Sequence, residues 1–164
     1  MLLGTMIITV ICQSYSYWNW QKAYLYSRIG FYDKATTHYD RASRFLNSSY
    51  FYYNQSHFEL KKGCYQKSSE IINKCLKNDY NVSLFKASLY KSMGKYNEAL
   101  SEYTLANRMC PSRFLPIYEQ YLIFESLGDT INMIRIREDI RTKPVKIETV
   151  EINQIKNYIL NNSL

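Results

Sequence analysis

The sequence predicts an all-α protein: an α-solenoid of about four helical hairpins followed by a C-terminal capping helix. Three observations carry the prediction. A glycine suited to a tight turn recurs at positions 30, 63, 94 and 128, at separations of 33, 31 and 34 residues. After each glycine, apolar or small residues recur at three- and four-residue steps, so they share one helical face. Glycine and proline supply only 5 and 3 of the 164 residues, which suits helices joined by short turns.

The clearest copy reads Gly94, Tyr96, Ala99, Tyr103, Ala106, with Pro111 at its end. Gly94 permits a left-handed turn that a Cβ opposes, and the ring of Pro111 blocks further helical hydrogen bonding. Gly30, Tyr32, Ala35, Tyr39 and Ala42 keep the same spacing. So do Gly63, Tyr65, Ser68, Ile72 and Cys75, with serine and cysteine in the alanine positions. Gly128, Met133, Arg137 and Ile140 form a degraded fourth copy. The helix before each turn carries a small slot and an aromatic slot, filled by Ala23 and Tyr26, then by Ala87 and Tyr90 in the third copy. The second copy has Ser56 and Glu59 there, and the fourth has Tyr121 and Phe124. Small facing residues let two helices approach closely, so the fourth hairpin is expected to pack more loosely. Helix–turn–helix units at a period near 34 are the tetratricopeptide signature.

In chain order, helices are predicted over 17–29 and 32–46, 50–62 and 65–77, 82–93 and 96–109, and 115–127 and 130–141. Residues 47–49 form a linker and cap, and Ser112 caps the seventh helix. Pro144 keeps 142–145 extended. A last helix over 149–161 sets Val150, Ile152, Ile155 and Ile159 against Glu151, Gln154, Lys156 and Asn157, the two-faced pattern that ends a repeat stack in water. The organisation is therefore an apolar segment over 1–16, the repeat array over 17–142, and an extended segment with its cap over 143–164.

Residues 2–12 are uncharged and apolar, and no charge appears before Lys22. Eleven residues fall short of the roughly 20 that span a bilayer, and no basic residue precedes them as in a signal peptide. Three readings stay open: the end of a membrane helix, a marginal anchor, or an extension of the first helix that covers the end of the stack. Tyr17, Trp18 and Trp20 resemble an interface belt, and Lys22, Arg28 and Lys34 follow the run. By the positive-inside tendency a membrane-associated chain, at a bacterial inner membrane, places its repeats in the cytoplasm.

The sequence offers little chemistry. It has no CxxC pair, Walker loop, GxSxG or dinucleotide loop, so no metal, no cofactor and no catalytic residue is assigned. Cys64 and Cys75 are too far apart along their hairpin for a disulfide. Glu138 and Asp139, adjacent on a helix, point apart. His38 falls between core positions and is expected to face solvent. The net charge of +7 mildly favours acidic partners or a membrane surface, although surface lysine on a repeat protein accounts for it as well. Acidic residues dilute the basic cluster of Arg135, Arg137, Arg141, Lys143 and Lys146, so no nucleic acid is proposed.

The remaining functional surface is the inner wall of the array, lined by the first helix of each hairpin. Counting back from the turn glycines puts Tyr17, Trp20, Tyr24 and Arg28 there, then Tyr53, His57 and Lys61, then Lys91 and Tyr118. Aromatics interleaved with basic groups grip a peptide with acidic groups or stack on a sugar. Equally, several of these tyrosines could fill gaps between repeats.

From Tyr103 through Met109, Pro111, Arg113 and Pro116, then Gly128-Asp129-Thr130 and Lys143-Pro144-Val145-Lys146, the chain resembles the C-terminal repeat region of Bacteroidetes O-antigen ligase/polymerase-like membrane proteins. The resemblance covers the layout of nearly the whole chain and is specific over about residues 103–147. It implies an array attached to a surface-polysaccharide assembly enzyme whose chemistry lies in membrane helices outside this sequence. The expected function is thus a membrane-associated, non-enzymatic scaffold for a protein or peptide partner in that process. The alternative is the end of the ligase or polymerase itself, with the array binding glycan.

Overall fold

A computed structural model describes residues 2–145 and 147–161, which leaves Lys146 outside the described residues. All regular structure among them is helical. The chain divides into two compact units, Met1–Lys77 and Asn78–Leu164. The first holds α1 (Leu2–Arg28), α2 (Tyr32–Ala42), α3 (Ser49–Lys61) and α4 (Tyr65–Ile72). The second holds α5 (Tyr80–Ser92), α6 (Tyr96–Met109), α7 (Leu115–Leu127), α8 (Thr130–Thr142) and α9 (Val150–Asn161).

The four predicted glycine turns are built alike. Gly30, Gly63, Gly94 and Gly128 take φ of 83°, 79°, 72° and 67°, a left-handed conformation that costs other residues roughly 1–2 kcal/mol. In each turn the amide after the glycine donates to the carbonyl of the preceding aromatic slot: Phe31 to Tyr26, Cys64 to Glu59, Lys95 to Tyr90 and Asp129 to Phe124, all at 2.9–3.0 Å. These bonds satisfy carbonyls that a helix end would leave unpaired.

The crossing of each hairpin lies where the two small slots meet. Ala23 and Ala35 are fully buried, as are Ala87 and Ala99. Ser56 and Ser68 are equally buried and bond across the crossing: each hydroxyl reaches the other residue's carbonyl, at 2.7 and 2.9 Å. Tyr121 and Met133 hold the same slots in the fourth hairpin and are buried too. Two bulky side chains cannot close to the separation that two alanines allow, which is the physical basis of the looser packing expected there.

Each unit has its own core. In the first, Tyr39 stacks on Phe58 with ring centroids 4.9 Å apart, among Ala23, Ala35, Ala42 and Phe51. In the second, Tyr103 and Ile123 pack with the alanine crossing. A further cluster joins Phe114, Ile117, Tyr121, Met133, Ile136 and Ile140 to Ile155 and Ile159 of α9. Thus α9 covers the fourth hairpin, with Glu151, Gln154 and Asn157 outward. Val150, assigned to its apolar face, is exposed.

Several helix ends differ from the sequence reading. Helix α2 stops at Ala42 and α4 at Ile72, where Lys74 and Cys75 amides turn back to Ile71 and Ile72 carbonyls. These three-residue closures tighten and end the helix. Cys75 therefore leaves the helix, and its Sγ lies 3.3 Å from the Ser49 carbonyl. Ser48 caps α3 by accepting from the Phe51 amide. Ser112 does not cap α7; Phe114 holds that position without a side-chain bond.

The N-terminal run requires the largest correction. No helix among the described residues is long and apolar enough to cross a membrane, which overturns the inner-membrane localisation and the cytoplasmic orientation built on it. Gln13, Ser14, Ser16 and Asn19 interrupt the apolar stretch, leaving about 16 Å of apolar helix at 1.5 Å per residue against a hydrocarbon layer of about 30 Å. The run instead continues the first hairpin helix without a break. Its apolar side chains face outward rather than over the stack: Met6, Ile7, Ile8, Val10 and Ile11 are all more than half exposed. The supposed belt residue Trp20 packs edge-on against Tyr17, Tyr50 and Phe51 at 5.5–6.0 Å.

Candidate functional site

Helices α1 and α3 lie side by side in the first unit, and their periodicity brings the predicted residues into register. Tyr17, Trp20, Tyr24 and Arg28 recur at three- and four-residue steps along α1, as Tyr50, Asn54, His57 and Lys61 do along α3. Toward their basic ends the two stripes enclose a pocket of about 140 Å³ lined by Tyr24, Ser27, Arg28, Tyr39, Asn54, His57, Phe58 and Lys61. Four of the nine predicted residues meet there. Ser27, Asn54, Tyr39 and Phe58 escaped the sequence reading. Asn54 was legible, standing four residues after Tyr50 on the stripe, whereas Tyr39 enters from α2 and needs the fold.

The pocket is electropositive. Arg28, His57 and Lys61 line it with no carboxylate among the lining residues. The Arg28 guanidinium sits over the Tyr24 ring at 6.0 Å, and Tyr53 meets the His57 ring edge-on at 4.6 Å. Burial lowers the His57 pKa from its ordinary value, and the Lys61 charge adds to the shift. Burial raises Tyr39, with a Ser27 hydrogen bond opposing it, so its phenol remains a neutral donor.

The other predicted residues have different surroundings. Tyr17 and Trp20 belong to the aromatic cluster beside Tyr50, and the buried indole Nε1 of Trp20 has no hydrogen-bond partner among the described residues. In the second unit, Lys91 is committed to Glu119, with Nζ and Oε2 2.7 Å apart. Tyr118 packs edge-on against Tyr158 of α9 at 5.6 Å.

His38 departs from its expected exposure. Its Nδ1 lies 2.9 Å from Asn19 Oδ1, and its ring stacks on Tyr26 at 5.4 Å. It therefore ties α2 to α1. Burial lowers its pKa, and the charges of Arg41 and Lys22 push the same way.

These geometries define a class: an all-α array of tetratricopeptide-like helical hairpins. A tetratricopeptide repeat model matches residues 80–113, the third hairpin and the turn after it. No curated protein matches the chain. Among solved structures, a crystal structure of MamA matches at 14% identity and a TM-score of 0.63, covering 87% of this chain and 75% of that one. Two structures of MamA AMB-1 match at 12% identity with TM-scores of 0.64 and 0.62. They cover 89% and 92% of this chain and 81% and 88% of theirs. At such identities the likeness shows the fold alone.

Proposed function

We propose that this chain is a non-catalytic scaffold that docks a protein partner by seating an acidic side chain of that partner against α1 and α3. One observation carries the reading: Arg28, His57 and Lys61 converge on a pocket that contains no carboxylate. A pocket of about 140 Å³ suits one side chain rather than a whole ligand, since small-molecule sites usually run to 300–1,000 Å³. The aromatic cluster of Tyr17, Trp20 and Tyr50 along the same helices offers the apolar anchoring that peptide contacts use. Nothing in the matched proteins bears on surface polysaccharide, so the scaffold reading rests on the repeat fold and this pocket.

The test is titration of the full chain with a fluorescent, end-blocked peptide containing one glutamate among alanine and leucine. Binding should weaken at least tenfold in an Arg28→Ala/Lys61→Ala variant and fade as salt rises. Equal affinity for the variant, or for a peptide with glutamine in place of the glutamate, would remove the reading.

A further inference from the structure

A larger trough lies in the second unit, walled by the second helices of the third and fourth hairpins. It has a volume of about 710 Å³ and runs between α6 and α8 over a floor supplied by α7. One wall is the stripe Asn97, Ser101, Thr104 and Arg108 on α6; the other is Asn132, Arg135 and Asp139 on α8. Ile117, Gln120 and Phe124 form the floor, with Leu100 and Ile136 at its edges.

We infer that this trough is a second docking surface, and that its occupant is an extended peptide segment with acidic side chains. Four of the nine polar lining residues carry side-chain amides: Asn97, Asn107, Gln120 and Asn132. A carboxamide offers both a donor and an acceptor, the pair that a peptide main chain needs when it leaves water; Asn132 Nδ2 already donates to Asp129 Oδ2 at 2.7 Å, which holds that amide in place on its wall. An apolar floor flanked by such groups suits a strand that sends alternate side chains down and outward. The stripe from Asn97 to Arg108 extends about 17 Å at 1.5 Å per residue, room for about five extended residues at roughly 3.3 Å each.

Charge sets the sequence of that segment. Arg108 and Arg135 are exposed on the two walls, and no described carboxylate pairs with either guanidinium. The one acid of the lining, Asp139, is opposed by the charge of Lys143, whose Nζ reaches Asn107 Oδ1 at 3.3 Å. The trough therefore keeps an excess of positive charge.

The probe is an end-blocked hexapeptide of alternating valine and glutamate, titrated into the ¹⁵N-labelled full chain. Saturable shifts should appear at the side-chain amides of Asn97, Gln120 and Asn132. An Arg108→Ala/Arg135→Ala variant should bind at least tenfold more weakly with unchanged far-UV circular dichroism, and Arg135→Glu alone should weaken binding as well. Arg28→Ala/Lys61→Ala should leave these shifts in place, which separates this surface from the α1/α3 pocket. Shifts confined to the first unit would overturn the inference. So would an equal response to a valine–lysine peptide, or displacement of the peptide by inorganic phosphate or maltose.

Discussion

The second and third hairpins share one backbone plan and fill it with opposite chemistry. Both turn on a left-handed glycine and bond the following amide back across the turn. The third hairpin is apolar: Ala87 meets Ala99, and Tyr90 fills the aromatic slot. The second meets through Ser56 and Ser68, and its aromatic slot holds Glu59, only 1% exposed. That carboxylate lies 2.8 Å from Lys67 and 3.5 Å from Lys62, and the bond to Glu59 raises the Lys67 pKa. Side-chain size and spacing, more than polarity, are what this repeat demands.

That contrast can be broken at several points. The largest effect should come from Glu59→Ala, which opens a buried slot and leaves two lysines facing it. A loss of about 3 kcal/mol is expected from the cavity left in the buried slot; Glu59→Tyr, which restores the aromatic, should recover most of it. Urea unfolding of both variants checks this, and equal losses would show that the ion pair, not the slot, matters. Next, Ala99→Leu should cost about 2 kcal/mol by overpacking the alanine crossing. Met133→Leu in the fourth hairpin should cost less than about 1.5 kcal/mol, since it roughly conserves volume. A Tm shift of similar size for both would erase the distinction between the two crossings.

Smaller effects sharpen the comparison. Ser56→Ala should cost about 1 kcal/mol through its lost buried hydrogen bonds. The Ser56→Ala/Ser68→Ala pair should cost less than the sum of the singles, a coupling that a double-mutant cycle reads directly. The smallest effect concerns pH. Burial holds both His38 and His57 below their unfolded value, so the unfolded chain binds more protons on acidification. Stability is then fully present above the unfolded imidazole pKa and is lost as pH falls through the lowered folded values. The urea midpoint should drop between pH 7 and pH 5, and His38→Gln/His57→Gln should flatten that slope.

Much of this architecture was legible before any coordinates. The four glycines, with small residues five positions after the first three and Met133 after the fourth, predicted every hairpin, and six of the nine helices among the described residues lie within two residues of their expected bounds at both ends. The misses have two causes. The early ends of α2 and α4 depend on local turn bonds such as those of Lys74 and Cys75, which periodicity does not report. His38 looked solvent-facing because its own helix lacks a reason to bury it; the reason is Asn19 and Tyr26 on α1. For the pocket, Tyr24, Arg28, His57 and Lys61 could be aligned by counting back from the turns, while Tyr39 could not.

Sequence alone determined the repeat: where the chain must turn, because only glycine accepts those backbone angles cheaply, and which residues face a neighbouring helix, because helical periodicity is local. Tertiary structure decided the rest. It tied Glu59 to Lys67, brought His38 to Asn19, and opened the trough between α6 and α8. Each of those outcomes depends on distances between side chains on different helices, and such distances exist only once the helices have packed.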